Sequence, residues 1–101
     1  MNLVVLEGRV TVPIERSEVG GRAKARLAIS VPGSGRPRRL DVIPVTFPDP
    51  TPEILEIAPG SSIAVVGSVH RRFWAGSSGR QSRLEVVASH LEPAPPKAGE
   101  S

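Results

Sequence analysis

The sequence predicts an all-β domain, a small barrel of five strands with one short helix near its middle. Three observations lead there. Four stretches alternate apolar and polar residues with a period of two, the signature of strands buried on one face. Clusters of Gly, Pro and Ser separate these stretches at turn positions. One segment, Thr51-Pro52-Glu53, reads as a helix start, with Thr as N-cap, Pro at the first helical position and Glu in the first turn. With 101 residues, 39% of them hydrophobic, the chain suffices for one domain with a modest core and is too short for two.

The first strand spans Leu3 to Val12, with Val4, Leu6, Gly8, Val10 and Val12 on one face and Glu7, Arg9 and Thr11 on the other. Gly8 in its middle predicts a bulge or bend, as a small barrel needs where one long strand serves both sides. Pro13 through Arg22, with Gly20-Gly21, reads as a hairpin connection. Ala23 to Val31 is the cleanest strand: Ala23, Ala25, Leu27, Ile29 and Val31 point inward, and Lys24, Arg26, Ala28 and Ser30 outward. Pro32 to Pro37 is a loop by composition.

A third strand runs from about Arg38 to Phe47, where Pro44 predicts an edge or bulged position because it donates no ladder hydrogen bond. The helix after Thr51 must be short, since Pro59-Gly60 stops it. Ser62 to Trp74 is the fourth strand, Ala75 to Ser82 a Gly/Ser-rich tip, and Arg83 to Leu91 the fifth strand. In the fifth, Leu84, Val86 and Ala88 alternate against Glu85, Val87 and Ser89. Residues 1–92 thus form the domain, and residues 93–101, with nothing to bury, a disordered tail. Five strands with a helix between the third and fourth is the element order of the OB-fold, a Greek-key barrel.

Charge patterning points to a polyanion. Arg22, Lys24, Arg26, Arg36, Arg38 and Arg39 form one block without an acid, and Arg71, Arg72, Arg80 and Arg83 form another. Other classes of function find little support. There is no cysteine for thiol chemistry or a thiolate metal site. His70 and His90 are too few and too isolated for a metal or a general base. No serine sits in a nucleophile-elbow pattern, and Gly33-Ser34-Gly35 lacks the spacing of a phosphate loop. A non-enzymatic protein without cofactor or metal is expected. The start of the chain has neither a basic segment nor a small-residue cleavage site, and no apolar run nears the roughly 18 residues that span a bilayer, so a cytoplasmic protein without membrane contact is expected.

At the fourth strand the sequence becomes recognisable. Gly60 to Trp74 (GSSIAVVGSVHRRFW) resembles, without a gap, the G-S-x-V-x-V-x-G-x-L-x-x-R-x-W/Y stretch of the bacterial single-stranded-DNA-binding protein family. Asn2 to Gly8 (NLVVLEG) resembles that family's N-K-V-x-L-x-G opening, Ala23 to Ile29 (AKARLAI) its second strand, and Glu85 to Ala88 (EVVA) its last. The resemblance covers roughly residues 2 to 92. It implies the OB-fold, sequence-tolerant binding of single-stranded DNA in replication, repair or recombination, a homotetramer or homodimer, and a nucleoid-associated location. In the family, bases stack on aromatic rings while lysines and arginines follow the phosphates.

The chain departs from the family where it counts. Asp41 is followed by Val42 in place of an aromatic, and a second family aromatic falls on Pro48, with Phe47 one step early. Of the stacking residues Trp74 alone matches, and Phe73 beside it faces the other way on a regular strand. Arg72 matches the family pattern, whereas Arg71 points to the opposite face. Lys24 and Arg26 share one face as phosphate contacts, and Arg36, Arg38, Arg39, Arg80 and Arg83 lie in loop regions of the kind OB-folds use for binding. Lys24 and Lys97 are the only lysines among 13 cations, so arginine, which both pairs with phosphate and stacks on bases, can replace the aromatics in part, although a GC-rich genome accounts for the arginine bias equally well. The tail lacks the acidic, hydrophobic tip by which family members recruit replication or repair proteins. Missing aromatics and missing tip favour an alternative, a protein-interaction adaptor similar to the primosomal replication proteins with weak DNA binding.

Overall fold

The computed structural model describes residues 2–32 and 40–94. Its elements in chain order are β1 (Val4–Val10), β2 (Glu15–Val19), β3 (Arg22–Pro32), β4 (Leu40–Pro48), α1 (Pro52–Leu55), β5 (Ser62–Gly76) and β6 (Gly79–Pro93). β1 runs antiparallel to both β5 and β3, β3 to β4, and β5 to β6, while β4 meets β6 in parallel. Those pairings close a ring, β1-β5-β6-β4-β3-β1, which is the five-stranded Greek-key barrel of the OB-fold. The helix joins the third barrel strand, β4, to the fourth, β5.

The sixth strand, β2, corrects the reading of residues 13–22 as a plain connection. It pairs with the first half of β3, Glu15 opposite Arg26 through Val19 opposite Arg22, on the edge that β1 takes over at Ile29 and Ser30. The turn between them is Gly20-Gly21, whose φ angles of 62° and 79° are those of a type I′ hairpin. No β2 residue is buried, so its sequence carries no alternation to announce it.

The core consists of Val10, Ala25, Leu27, Ile29, Val45, Ile63, Val65, Val86 and Ala88, drawn at period two from all five barrel strands. Val12, expected to continue the inner face of the first strand, is exposed beyond the end of β1. At Gly8 the barrel wall passes too close for a side chain: a Cβ there would meet the Ser30 carbonyl oxygen and lie 2.7 Å from Ile29 Cγ2. This is where β1 passes from pairing with β5 to pairing with β3. Gly67 is the second such point, at a bulge where Val66 faces His90 but Gly67 faces Ala88.

Pro44 is accommodated as a strand proline should be. It lies opposite Ala28, whose carbonyl accepts from the Thr11 amide at 3.0 Å. The polar backbone of Ala28 therefore faces β1, the pair is a non-hydrogen-bonded one, and the missing Pro44 N–H points away from β3. Thr51 caps α1, its hydroxyl accepting from the Ile54 amide at 3.4 Å, with Pro52 and Glu53 in the first turn.

Two further boundaries move. The ladder between β5 and β6 continues to Gly76 opposite Gly79, so most of the expected tip at residues 75–82 is strand and only Ser77 and Ser78 form the turn. β6 also runs on to Pro93, and the Ala94 amide donates to the Ser62 carbonyl at 3.0 Å. Residues 95–101 of the expected tail lie outside the described residues, as do Arg36, Arg38 and Arg39. No helix among the described residues is long and apolar enough to cross a membrane.

Candidate nucleic-acid interface

β5 and β6 leave the barrel as a two-stranded arm. β1 accompanies β5 only as far as Gly67, and β4 pairs with β6 only at Val86 and Val87. From Arg71 to Leu84 every residue except Gly76 is exposed, so the arm presents both its faces. Leu84, expected to point into the core, is 52% exposed for this reason: the barrel ends one pair below it. At the root of the arm the Asn2 carboxamide donates to the Val69 carbonyl at 2.6 Å and accepts from the Val69 amide at 3.0 Å, extending the β1 edge by one side chain.

The register sorts the arm's side chains, because residues directly opposite in a ladder share a face. Arg72 opposite Arg83 and Trp74 opposite Gln81 lie on one face. Arg71 opposite Leu84, Phe73 opposite Ser82 and Ala75 opposite Arg80 lie on the reverse. Trp74 is 42% exposed, so its ring packs on the arm while leaving surface free.

The Trp74 face continues onto the outer wall of the barrel. Arg26 on β3 lies opposite Thr46 on β4, and the Thr46 hydroxyl donates to Glu85 Oε2 at 3.2 Å. Glu85 Oε1 lies 3.7 Å from Nε of Arg72. A cleft of about 210 Å³ is lined by Arg26, Thr46, Arg83 and Glu85, with Pro44 and Glu15 at its sides. A second recess, bounded by Arg72, Phe73, Trp74 and Arg83, adjoins it through Arg83. Lys24 lies two residues from Arg26 on the same face of β3, about 7 Å farther along the strand.

Of the residues singled out from sequence, Lys24, Arg26, Arg72, Arg83 and Trp74 thus come together on one outer surface, while Arg71, Phe73 and Arg80 occupy the back of the arm. Thr46 and Glu85 were missed. Alternation puts Glu85 on the outside of β6, and the structure keeps it on that face yet only 8% exposed, covered by Thr46 and Arg72. The block of arginines that looks free of acid in sequence therefore contains one buried carboxylate in space. Its charge offsets part of Arg72's. Glu85→Gln keeps an acceptor for Thr46 and removes that offset. Its expected result is tighter oligo-dT binding at low salt and a slope of log K against log salt steeper by about 0.7, one more phosphate being neutralised. Anisotropy over a salt series reads this, and an unchanged slope would mean that Glu85 does not restrain Arg72.

No protein-family model matches the chain, and no curated protein matches it in sequence. Solved structures do match. One is a Plasmodium falciparum SSB in complex with ssDNA, similar at a TM-score of 0.81 and 18% identity over 94% of this chain and 96% of that one. Another is the dimeric N-terminal domain of PriB from Thermoanaerobacter tencongensis, at a TM-score of 0.68 and 24% identity over 94% of this chain and 98% of that one. At such identities the likeness speaks for the fold, and with the ring of pairings above it establishes this chain as an all-β OB-fold domain.

Proposed function

We propose that the protein binds single-stranded DNA with little sequence preference, in the service of replication, repair or recombination. The strand crosses the outer face of β3 and β4 and continues along the Trp74 face of the arm. The observation that carries this reading is the convergence of Lys24, Arg26, Arg72, Arg83 and an exposed Trp74 on one continuous surface. OB-folds use this strand face together with the loop between their last two strands for oligonucleotides, which here is the arm. Arginines pair with phosphates, and Trp74 offers a base a stacking platform. The P. falciparum neighbour, solved with ssDNA, supports the reading by its likeness. Self-association belongs to it too: the PriB neighbour is dimeric, and the outer side of β1 presents exposed Leu3 and Val5.

Titration with oligo-dT tests it. Trp74 is the single tryptophan, so its fluorescence reports on this surface alone. Saturable quenching is expected, together with a slope of log K against log salt of about −2, from Lys24, Arg26 and Arg83 at about 0.7 each on a single strand, the charge of Arg72 being offset by Glu85. No change in fluorescence or in the anisotropy of labelled DNA would remove the proposal and leave the adaptor reading, with exposed Leu40 and Val42 on β4 as contact surface.

A further inference from the structure

We propose that the reverse face of the arm is a second, separate seat for single-stranded nucleic acid, so that one chain holds two segments of strand, one on each face. The inference rests on the single-strand reading above and extends it to the opposite face of the arm. On the reverse face the Arg80 guanidinium lies 4.4 Å above the centroid of the Phe73 ring. Arg71 is steadied by a hydrogen bond from Nη1 to the Ser82 hydroxyl at 3.0 Å. Phe73 keeps 53% of its surface exposed, and an open recess runs past it along Trp74, Ala75, Gly76, Gly79 and Arg80.

Each face carries one ring and two arginines. Trp74 stands beside the facing pair Arg72 and Arg83 on one, and Phe73 between Arg71 and Arg80 on the other. An aromatic ring with two guanidinium groups suits a base and its neighbouring phosphates, and a guanidinium already lying on a ring offers its own free plane for a base to stack on. Charge argues for a polyanion over an apolar peptide or a second copy of the chain. Residues 71–84 carry four arginines and no carboxylate, and Glu85, which tempers the Trp74 face, lies on the other side. The arginines of the two seats lie on opposite faces of the arm, so a short oligonucleotide held by one pair leaves the other pair open.

Counting d(T)4 molecules bound per chain tests this, four nucleotides being about the smallest site of an OB-fold. Labelled d(T)4 would be titrated by anisotropy at stoichiometric concentration while Trp74 fluorescence is followed in parallel. Two per chain are expected for the native protein, and one for the double variant Arg71→Ala/Arg80→Ala, which spares every residue of the Trp74 recess, with Trp74 quenching undiminished. Both substituted positions are exposed, so the variant should keep the native melting temperature. One per chain in the native protein, with Trp74 quenched, would overturn the inference, whether or not the double variant weakens binding, since a weakened single site means one strand wrapping the arm. Binding that the double variant abolishes, with no Trp74 quenching at any point, would support the reverse seat and remove the Trp74 groove instead.

Discussion

Trp74→Ala weakens oligo-dT binding by about 5- to 150-fold, the equivalent of the roughly 1–3 kcal/mol that one base–aromatic stack contributes. The loss is large because Trp74 is the one aromatic ring on that face. The chain has three aromatic side chains, Phe47, Phe73 and Trp74; Phe47 packs against the core and Phe73 sits on the back of the arm. The substitution should shift the melting temperature little, since Trp74 lies on an arm with no barrel strand beside it. Trp74→Phe should recover most of the affinity, because it restores a ring without restoring the indole. Anisotropy of labelled oligo-dT measures all three proteins. Equal affinity for Trp74→Ala and the native chain would mean that the arginines alone hold the strand.

Gly67→Ala destabilises the domain by about 3 kcal/mol, which for a chain of this size lowers the melting temperature by about 10–25 °C. A Cβ at Gly67 collides with the Val87 carbonyl oxygen and lies 2.8 Å from Ala88 Cα and 2.9 Å from Val87 C. All three atoms are backbone of the neighbouring strand, at the bulge that lets β5 and β6 turn outward. No rotamer change relieves the clash, so the ladder itself must move. Gly76→Ala is the control. There the nearest atoms, 2.7–3.2 Å away, belong to the exposed Gln81 side chain, which swings aside, and the expected change is below about 1 kcal/mol. Urea unfolding of the two variants reads the contrast directly, and equal midpoints would refute this account of the bulge.

The candidate surface and the fold rest on different parts of the chain, and the two differ in how far they could be read in advance. The barrel strands were legible wherever one face is buried and the other wet. Ala25, Leu27 and Ile29 on β3 and Ile63 and Val65 on β5 are such positions, and they are the core. The Thr51 cap, the Gly20-Gly21 turn and the tolerance for Pro44 were legible because each obeys local backbone chemistry. β2 was not, because no residue of it is buried and a strand wet on both faces leaves no periodic trace. The arm was cut short for the same reason: Ala75 to Ser82 reads as a Gly/Ser loop, yet its backbone groups keep their partners in a ladder of two strands.

The sequence by itself determined which cations and which aromatic ring are candidates and the side of its strand on which each stands, because side-chain direction alternates along a strand whatever its neighbours are. Lys24 shares a face with Arg26, Arg72 with Trp74, and Arg71 with Phe73 on those grounds alone. What only the tertiary structure decided is which of those faces meet. Arg26 and Thr46 join Arg83 and Glu85 because β4 lies parallel to β6, a pairing between segments about 40 residues apart that no local period encodes. That same neighbour buries Glu85, which alternation had placed in solvent, and its absence farther along β6 exposes Leu84, which alternation had placed in the core. Burial is a property of what covers a side chain, and in a closed barrel the cover comes from strands far away in the chain.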